Sequence, residues 1–417
     1  MKILVTGCGG FIGSHLCERL LKTTEYQIIG LDIINDYYDV NQKLKNLDLL
    51  RKYSQFSFYK EDIITTNIIE REQPEIVVHL AAMAGVRYSL ENPNLYMRTN
   101  VEGHTNLLNQ SNQQGVKLFI YASSSSVYGN NTKIPFQETD LIDNLNSVYA
   151  MSKYSCELVS QLYHKLFQIP VIGLRFFTVY GPRGRPDMAP FKFLSKIMNG
   201  IPIDKYGSGN SIRDYTYVDD IVSGIMGAIN NKHNRTCEVY NLGNSHTYTL
   251  NEFIDTCQQV TGQTAIINQL EDQKGDVPVT SSDIQKAQED LDYFPTTHLK
   301  EGLTKMFEWL QEYQSKPTYI FDSTIDTELN QLLTDIQVDK LPIKKYFSES
   351  ISFQIEQLSL LFSTQNIDNM RVFYNNTFVF DNVHIELVNE NIIIEFEDSS
   401  DELMNKGISN ICELKLE

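Results

Sequence analysis

Tyr149 and Lys153 stand four residues apart in Tyr149-Ala-Met-Ser-Lys153, a spacing that puts both side chains on one face of a helix. A phenol is a poor base at its ordinary pKa of about 10. A fixed ammonium one turn away favours the phenolate and brings that pKa toward neutrality, where a general base works best. Alone, such a pair is also met as a surface Tyr beside a solvated Lys. Two further stretches supply a context: Thr6-Gly-Cys-Gly-Gly-Phe-Ile-Gly13 and Ser123-Ser-Ser-Ser-Val-Tyr-Gly129. Together the three spell removal of a hydroxyl proton while a nicotinamide takes the hydride.

These residues need elements to hold them. Residues 2–6 read as an apolar strand running into the glycine loop, 14–21 have helical periodicity, and 26–31 form a second strand ending at Asp32. This is a βαβ unit with Gly7, Gly10 and Gly13 at the turn. The glycines let the backbone approach a pyrophosphate, which sits at the helix N-terminus opened by Phe11 and Ile12. Asp32 would accept hydrogen bonds from the adenosine ribose. Ile33 and Ile34 follow it, with no Arg or Lys there to hold a 2′-phosphate, so NAD is favoured over NADP.

The alternation continues through strands at 56–58, 75–80, 117–122 and 169–176. Asp62, with Ile63 beside it, is a candidate for the adenine edge, an ordinary helix cap being the other reading. Ala81 and Ala82 are small enough for the dinucleotide to lie against their backbone. Alternating strands and helices imply an α/β fold, a Rossmann-type doubly wound parallel sheet. We expect a dinucleotide-binding domain over 1–177, rejoined by a strand at 237–242. A smaller lobe is expected over 178–315, closing over the carboxyl edge of the sheet, where an open α/β sheet binds its ligands.

The whole chain carries a net charge of -18, which argues against a nucleic-acid surface and against anionic membranes. Its six cysteines lie far apart with no metal spacing, as expected of reduced thiols in the cytoplasm. No apolar run approaches transmembrane length and no signal peptide precedes the first strand, so a soluble protein is expected. Residues 316–417 hold 7 Lys/Arg against 18 Asp/Glu. Helical periodicity around 329–336 and 351–362 is followed by alternating segments punctuated by Asn/Asp turns at 375–376, 381–382 and 389–391. We read an acidic α+β module ending in a small antiparallel meander, a possible protein-partner site with no catalytic signature.

With TGCGGFIG at 6–13, AAMAGVRYSLENP at 81–93, SSSSVYG at 123–129 and YAMSK at 149–153, residues 1 to about 315 resemble the extended short-chain dehydrogenase/reductases. RFFTVYGPRGRPDMA at 175–189, GNSIRDYTYVDD at 209–220 and GDVPVT at 275–280 narrow the resemblance to nucleotide-sugar 4-epimerases, most closely those acting on UDP-glucuronate. The resemblance implies bound NAD and a UDP-sugar substrate. It makes Tyr149 the base, Lys153 its electrostatic partner and ribose anchor, and Ser124 the hydroxyl polariser. Asn100 would support the helix that carries Tyr149. Arg185, with Thr178, Ser125 and Ser126, would clamp the sugar carboxylate, since a guanidinium matches a carboxylate bidentately. Arg87 would orient the sugar or phosphates, Arg213 would meet the diphosphate, and Asp276 the uridine ribose. Without the family context, Arg183 and Arg185 read as solvated loop residues.

Ser125 and Ser126 stand where a sugar-nucleotide 4,6-dehydratase would place an acid pair. A decarboxylase differs around 181–189, and a UDP-galactose 4-epimerase usually has Asn at Thr178. A reductase on the same scaffold and an idle binding scaffold remain the other readings. Superfamily members are commonly dimers through a four-helix bundle, for which 96–113 and 149–167 are the candidate helices, so a homodimer is expected.

Overall fold

The computed structural model describes residues 1–271 and 277–315, with side chains as far as Tyr313. Beyond these it describes the backbone of strand segments at 343–344, 367–374, 377–388, 391–395 and 411–416. Residues Met1–Gln311 form one compact unit and Glu312–Glu417 a second.

The first unit is built on a seven-stranded sheet. Its strands are β1 (Lys2–Thr6), β2 (Gln27–Asp32), β3 (Phe56–Lys60), β4 (Ile76–His79), β5 (Leu118–Ser124) and β6 (Val171–Phe176). A later strand, Cys237–Leu242, pairs in parallel with β6 and completes the order Cys237–Leu242, β6, β5, β4, β1, β2, β3. Every pairing is parallel. Such a sheet is covered on both faces, which explains the unbroken apolar runs: Ile3, Leu4 and Val5 are fully buried. The strand order reverses between β1 and β4, the switch point at which open α/β sheets bind ligands.

Serines extend β5 further than their low β-propensity suggests. Ser123 and Ser124 pair with Arg175 and Phe176 of β6, so the serine run begins inside the sheet and leaves it at Ser125. The stretch 96–113 also differs from one continuous helix. It comprises helices Pro93–Tyr96 and Gly103–Gln114 joined by a π-helical turn, Met97–Glu102.

The smaller lobe contains β7 (Thr178–Tyr180), β8 (Ile203–Tyr206) and β9 (Ile212–Tyr217). With Cys237–Leu242 counted as β10, the last two strands of this unit are β11 (Thr247–Thr249) and β12 (Ile267–Leu270). They make a β11-β9-β7 sheet and a β12-β8 pair. Tyr180, Leu194, Ile203, Tyr215, Phe253 and Leu303 pack in one core that also takes in Phe11 from the glycine helix. The outer edge of β10 is covered by side chains. Glu138 Oε1 accepts from the Asn241 N–H at 2.7 Å, and Lys286 Nζ donates to the Val239 carbonyl at 2.8 Å.

The second unit contains a five-stranded sheet. Its strands are β13 (Ile343–Lys344), β14 (Ile367–Tyr374), β15 (Thr377–Val388), β16 (Asn391–Glu395) and β17 (Ile411–Leu416), in the order β13-β17-β16-β15-β14. All its pairings are antiparallel. Asp381 and Asn382 lie within β15 and not in a turn, opposite register shifts in β14. The helices expected at 329–336 and 351–362 lie outside the described residues.

A buried ion pair locks the first unit together. Arg175 on β6 meets Glu157 on the helix Val148–Phe167 through Nε–Oε1 at 2.9 Å and Nη2–Oε2 at 2.7 Å. Both side chains are almost completely buried. Arg175 Nη1 also donates to the Tyr128 hydroxyl (2.9 Å), which donates to Asn241 Oδ1 at 2.7 Å. Removing one charge leaves the other unpaired in the interior, a loss of about 3–5 kcal/mol. Glu157→Gln is therefore expected to lower unfolding stability by that amount in denaturant titration; a variant within 1 kcal/mol (about the error of such comparisons) would show that solvent relieves the charge.

Candidate active site

The glycine loop has the shape a dinucleotide needs. Gly7 takes a positive φ of 73°, and a methyl group there would meet the Ala81 nitrogen at 2.8 Å. A methyl at Gly13 would lie 2.1 Å from the Gly7 carbonyl oxygen. Gly10 caps the helix Phe11–Thr23 without a side-chain hydrogen bond, and no acid occupies its first turn. The N–H groups of Phe11 and Ile12 are thus left for an anion at the positive end of the helix.

Asp32 is buried at the end of β2. Its carboxylate accepts from the N–H of Gly9 (3.0 Å) and of Ile34 (2.9 Å), which fixes it beside the loop with lone pairs left for ribose hydroxyls. Burial raises its pKa, and the two N–H donors and nearby Lys43 oppose that rise. Lys43 is a cation near Asp32 that the residues directly after Asp32 did not reveal. Its ammonium is committed to the Asn35 carbonyl and side-chain oxygen, both at 2.5 Å.

Asp62 Oδ1 accepts from the Ile64 N–H at 2.9 Å, the geometry of a capped turn. Ile63 is buried, its side chain seated where Gly103 lacks one. Ala81 donates its N–H to Thr6 Oγ1 at 3.1 Å, drawing the end of β4 against β1. Ala82 follows in the same crossing. These glycines, the carboxylate and the small residues fit an adenine dinucleotide lying across the switch point.

Asn100 sits in the π-helical turn and is buried. Its Oδ1 accepts from the Met83 N–H (2.8 Å), while Nδ2 donates to the Met83 carbonyl and to Ser152 Oγ, both at 2.9 Å. One side chain thus joins the loop after β4 to the helix that carries Tyr149 and Lys153. A π-turn places such a residue off the usual helical face, and these turns recur at functional sites.

Ser147 caps that helix by accepting from the Ala150 N–H at 3.1 Å, so Tyr149 lies in the first turn. Its ring meets Tyr96 edge-on with centroids 6.1 Å apart. Lys153 is nearly buried and donates from Nζ to the Ala122 carbonyl at 2.9 Å. Ala122 precedes the two strand serines, whose side chains point to opposite faces. Ser123 Oγ donates to Glu157 Oε1 at 2.5 Å. Ser124 Oγ accepts from the Ser126 N–H at 3.1 Å, which leaves its own O–H as a donor. Ser125 and Ser126 open the short 3₁₀ turn Ser125–Tyr128.

Thr178 begins β7, two residues past the end of β6, opposite Tyr215 of β9. The two loop arginines are not solvated. Arg183 Nη2 pairs with Glu18 of the glycine helix at 2.5 Å. Arg185 pairs with Asp187 through Nε (3.0 Å) and Nη2 (2.6 Å), and Nη2 also reaches the Ala84 carbonyl at 3.0 Å. Arg87, in the helix Val86–Glu91, places its guanidinium 5.4 Å from the ring centroid of Tyr206 on β8. Arg213 Nη1 donates to the carbonyls of Ile212 and Pro278, beside the segment that follows Asp276. Asp276 itself lies outside the described residues. Among the described residues no cluster of potential ligands could hold a metal.

A seven-stranded parallel sheet with a glycine loop at its switch point defines a Rossmann-type dinucleotide-dependent enzyme. The chain belongs to the NAD dependent epimerase/dehydratase family, whose sequence profile matches residues 3–243. Its cofactor is NAD. It is 44% identical over 336 residues to Protein CapI of Staphylococcus aureus, covering 76% of this chain and 100% of that protein. The UDP-glucuronate 4-epimerase of Thermodesulfobacterium geofontis is 40% identical over 314 residues, covering 74% of this chain and 96% of the relative. The solved UDP-glucuronic acid 4-epimerase of Bacillus cereus, in complex with UDP-glucuronic acid and NAD, superposes with a TM-score of 0.72. That match has 37% identity and covers 75% of this chain and 99% of the other.

The glycine geometry has a direct consequence. Gly13→Ala must displace either the Gly7 carbonyl or the first helical turn, and is expected to yield folded protein largely stripped of NAD. The NAD released on denaturing the purified protein measures this; wild-type content would show that the loop yields elsewhere.

Proposed function

We propose that this enzyme interconverts UDP-glucuronate and UDP-galacturonate by inverting C4 of the sugar. The observation that carries the reading is Lys153, tied to the Ala122 carbonyl at 2.9 Å one turn from Tyr149 and two residues before Ser124 on the same strand. That tether fixes the ammonium one helical turn from Tyr149, against the strand that ends in Ser124. Similarity to relatives named for this reaction supports the choice of substrate.

Tyr149 takes the proton from O4, with Ser124 donating a hydrogen bond to the same oxygen. NAD, when bound, supplies the acceptor and later the donor of the hydride at C4. The 4-keto sugar turns in the pocket, and Tyr149 returns its proton as the opposite face is reduced. Arg213 and Asp276 hold the diphosphate and uridine, and Arg87 orients the sugar or phosphates, so the nucleotide stays while the sugar rotates. Oxidising a uronate at C4 gives a β-keto acid prone to losing carbon dioxide. Arg185, Thr178, Ser125 and Ser126 hold the carboxylate so that the breaking bond does not align with the ketone π system.

The enzyme is further proposed to be a cytoplasmic homodimer. Among the described residues no helix is long and apolar enough to cross a membrane, and the five described cysteines are free. Met151, Leu158, Leu162 and Leu166 lie exposed along one face of the helix Val148–Phe167, opposite the face bearing Lys153 and Glu157. A second copy covering this stripe would bury it against its own equivalent. The acidic residues 316–417 are proposed as a separate module that meets a protein partner.

NMR of the sugar nucleotides after incubation with UDP-glucuronate tests the activity. UDP-galacturonate is expected; UDP-xylose or a 4-ketopentose would mean decarboxylation, and no conversion would overturn the reading. Tyr149→Phe should lose about 10²–10⁴-fold in rate with folding and NAD content intact. For the assembly, Leu158→Glu with Leu162→Glu is expected to give monomers in sedimentation velocity, and an unchanged dimer would place the interface elsewhere.

A further inference from the structure

Arg185 is already balanced before any sugar arrives. Asp187 fills its Nε/Nη2 edge with both oxygens, at 3.0 and 2.6 Å. The same Nη2 reaches the Ala84 carbonyl at 3.0 Å and the Tyr37 hydroxyl at 3.3 Å. The guanidinium also stacks over the Tyr37 ring with a separation of 5.2 Å. Among the described residues every hydrogen bond of this side chain uses that one edge, so an incoming carboxylate would take the Nη1 side. Gly85, at a positive φ of 121°, brings this cluster to Tyr96, and Tyr96 packs edge-on against Tyr149.

We infer that Asp187 is a specificity-determining residue, an internal carboxylate that tempers the preference of Arg185 for an acidic sugar over a neutral one. The inference rests on the proposed role of Arg185 as the carboxylate clamp. A uronate at Nη1 meets a cation whose charge is largely cancelled and a second carboxylate one guanidinium away. A neutral hexose, in turn, can occupy the site without stranding an unpaired, mostly buried guanidinium. Asp187 is not alone in aiming Arg185. The Ala84 carbonyl and Tyr37 hold the same nitrogen and the flat of the group.

The charge can be removed while the shape is kept. On NAD-loaded protein, Asp187→Asn is expected to tighten UDP-glucuronate binding about 5-fold and to leave UDP-glucose unchanged or weaker, read by titration calorimetry. In an Arg185→Gln background the same substitution is expected to change the ratio of the two affinities by less than about 2-fold. A ratio that stays constant or falls in Asp187→Asn would overturn the inference and make Asp187 an orienting group for Arg185. An equal gain with Arg185 neutralised would also overturn it, because the effect would not run through that guanidinium. Wild type that binds both nucleotides but epimerises neither overturns the proposed reaction, while the affinity ratio still decides the role of Asp187. Wild type that binds neither overturns both.

Discussion

The pairing of Arg175 with Glu157 is the constraint from which the rest of the site takes its position. An unpaired charge in that interior is costly enough that the strand β6 and the helix Val148–Phe167 have one workable register. Glu157 lies one turn beyond Lys153, so the register of the ion pair is also the register of the Tyr149–Lys153 pair. Ser123 completes the coupling by donating to the same carboxylate. Because consecutive strand residues face opposite ways, anchoring Ser123 on one face aims Ser124 on the other. The Lys153 bond to the Ala122 carbonyl is a second tie between the same two elements. The placement of the candidate catalytic residues is a by-product of core electrostatics.

The sheet and the cofactor cradle were legible in the sequence because both rest on local or strictly periodic requirements. Apolar runs of strand length separated by helical stretches admit few folds other than a parallel sheet. Gly7, Gly10 and Gly13 mark places where any side chain would collide with backbone, and the collision of Gly7 with Ala81 also explains the small residues after β4. The support given by Asn100 was readable only through resemblance. Nothing in Met97-Arg-Thr-Asn-Val-Glu102 marks a π-turn, since the irregularity depends on the Met83 backbone and Ser152, both distant in sequence.

Where the sequence was silent, the fold chose the partner. Arg183 and Arg185 look alike in their loop, yet the fold sends one to Glu18 in the glycine helix and leaves the other with Asp187 and the Ala84 carbonyl. Lys43 was invisible as a neighbour of Asp32 because the loop over residues 33–39 must fold back to bring the helix Val40–Leu50 beside the strand end. Asp381 and Asn382 carry a turn signature, but the pairing of Phe380 and Val383 with Val372 and Met370 of β14 keeps them inside one strand, at a register shift. The contribution of Asp276 falls outside the described residues.

The covered edge of β10 bears on how the protein behaves in a crowded solution. A parallel sheet that ends in an open strand offers unpaired amides and carbonyls to any extended chain, and such edges nucleate aggregation. Here the Asn241 amide is occupied by Glu138 and the Val239 carbonyl by Lys286. Both are long charged side chains, so a strand approaching this edge would have to break an ion-assisted bond and bury a charge at both positions. At these two positions the last strand is guarded against an eighth.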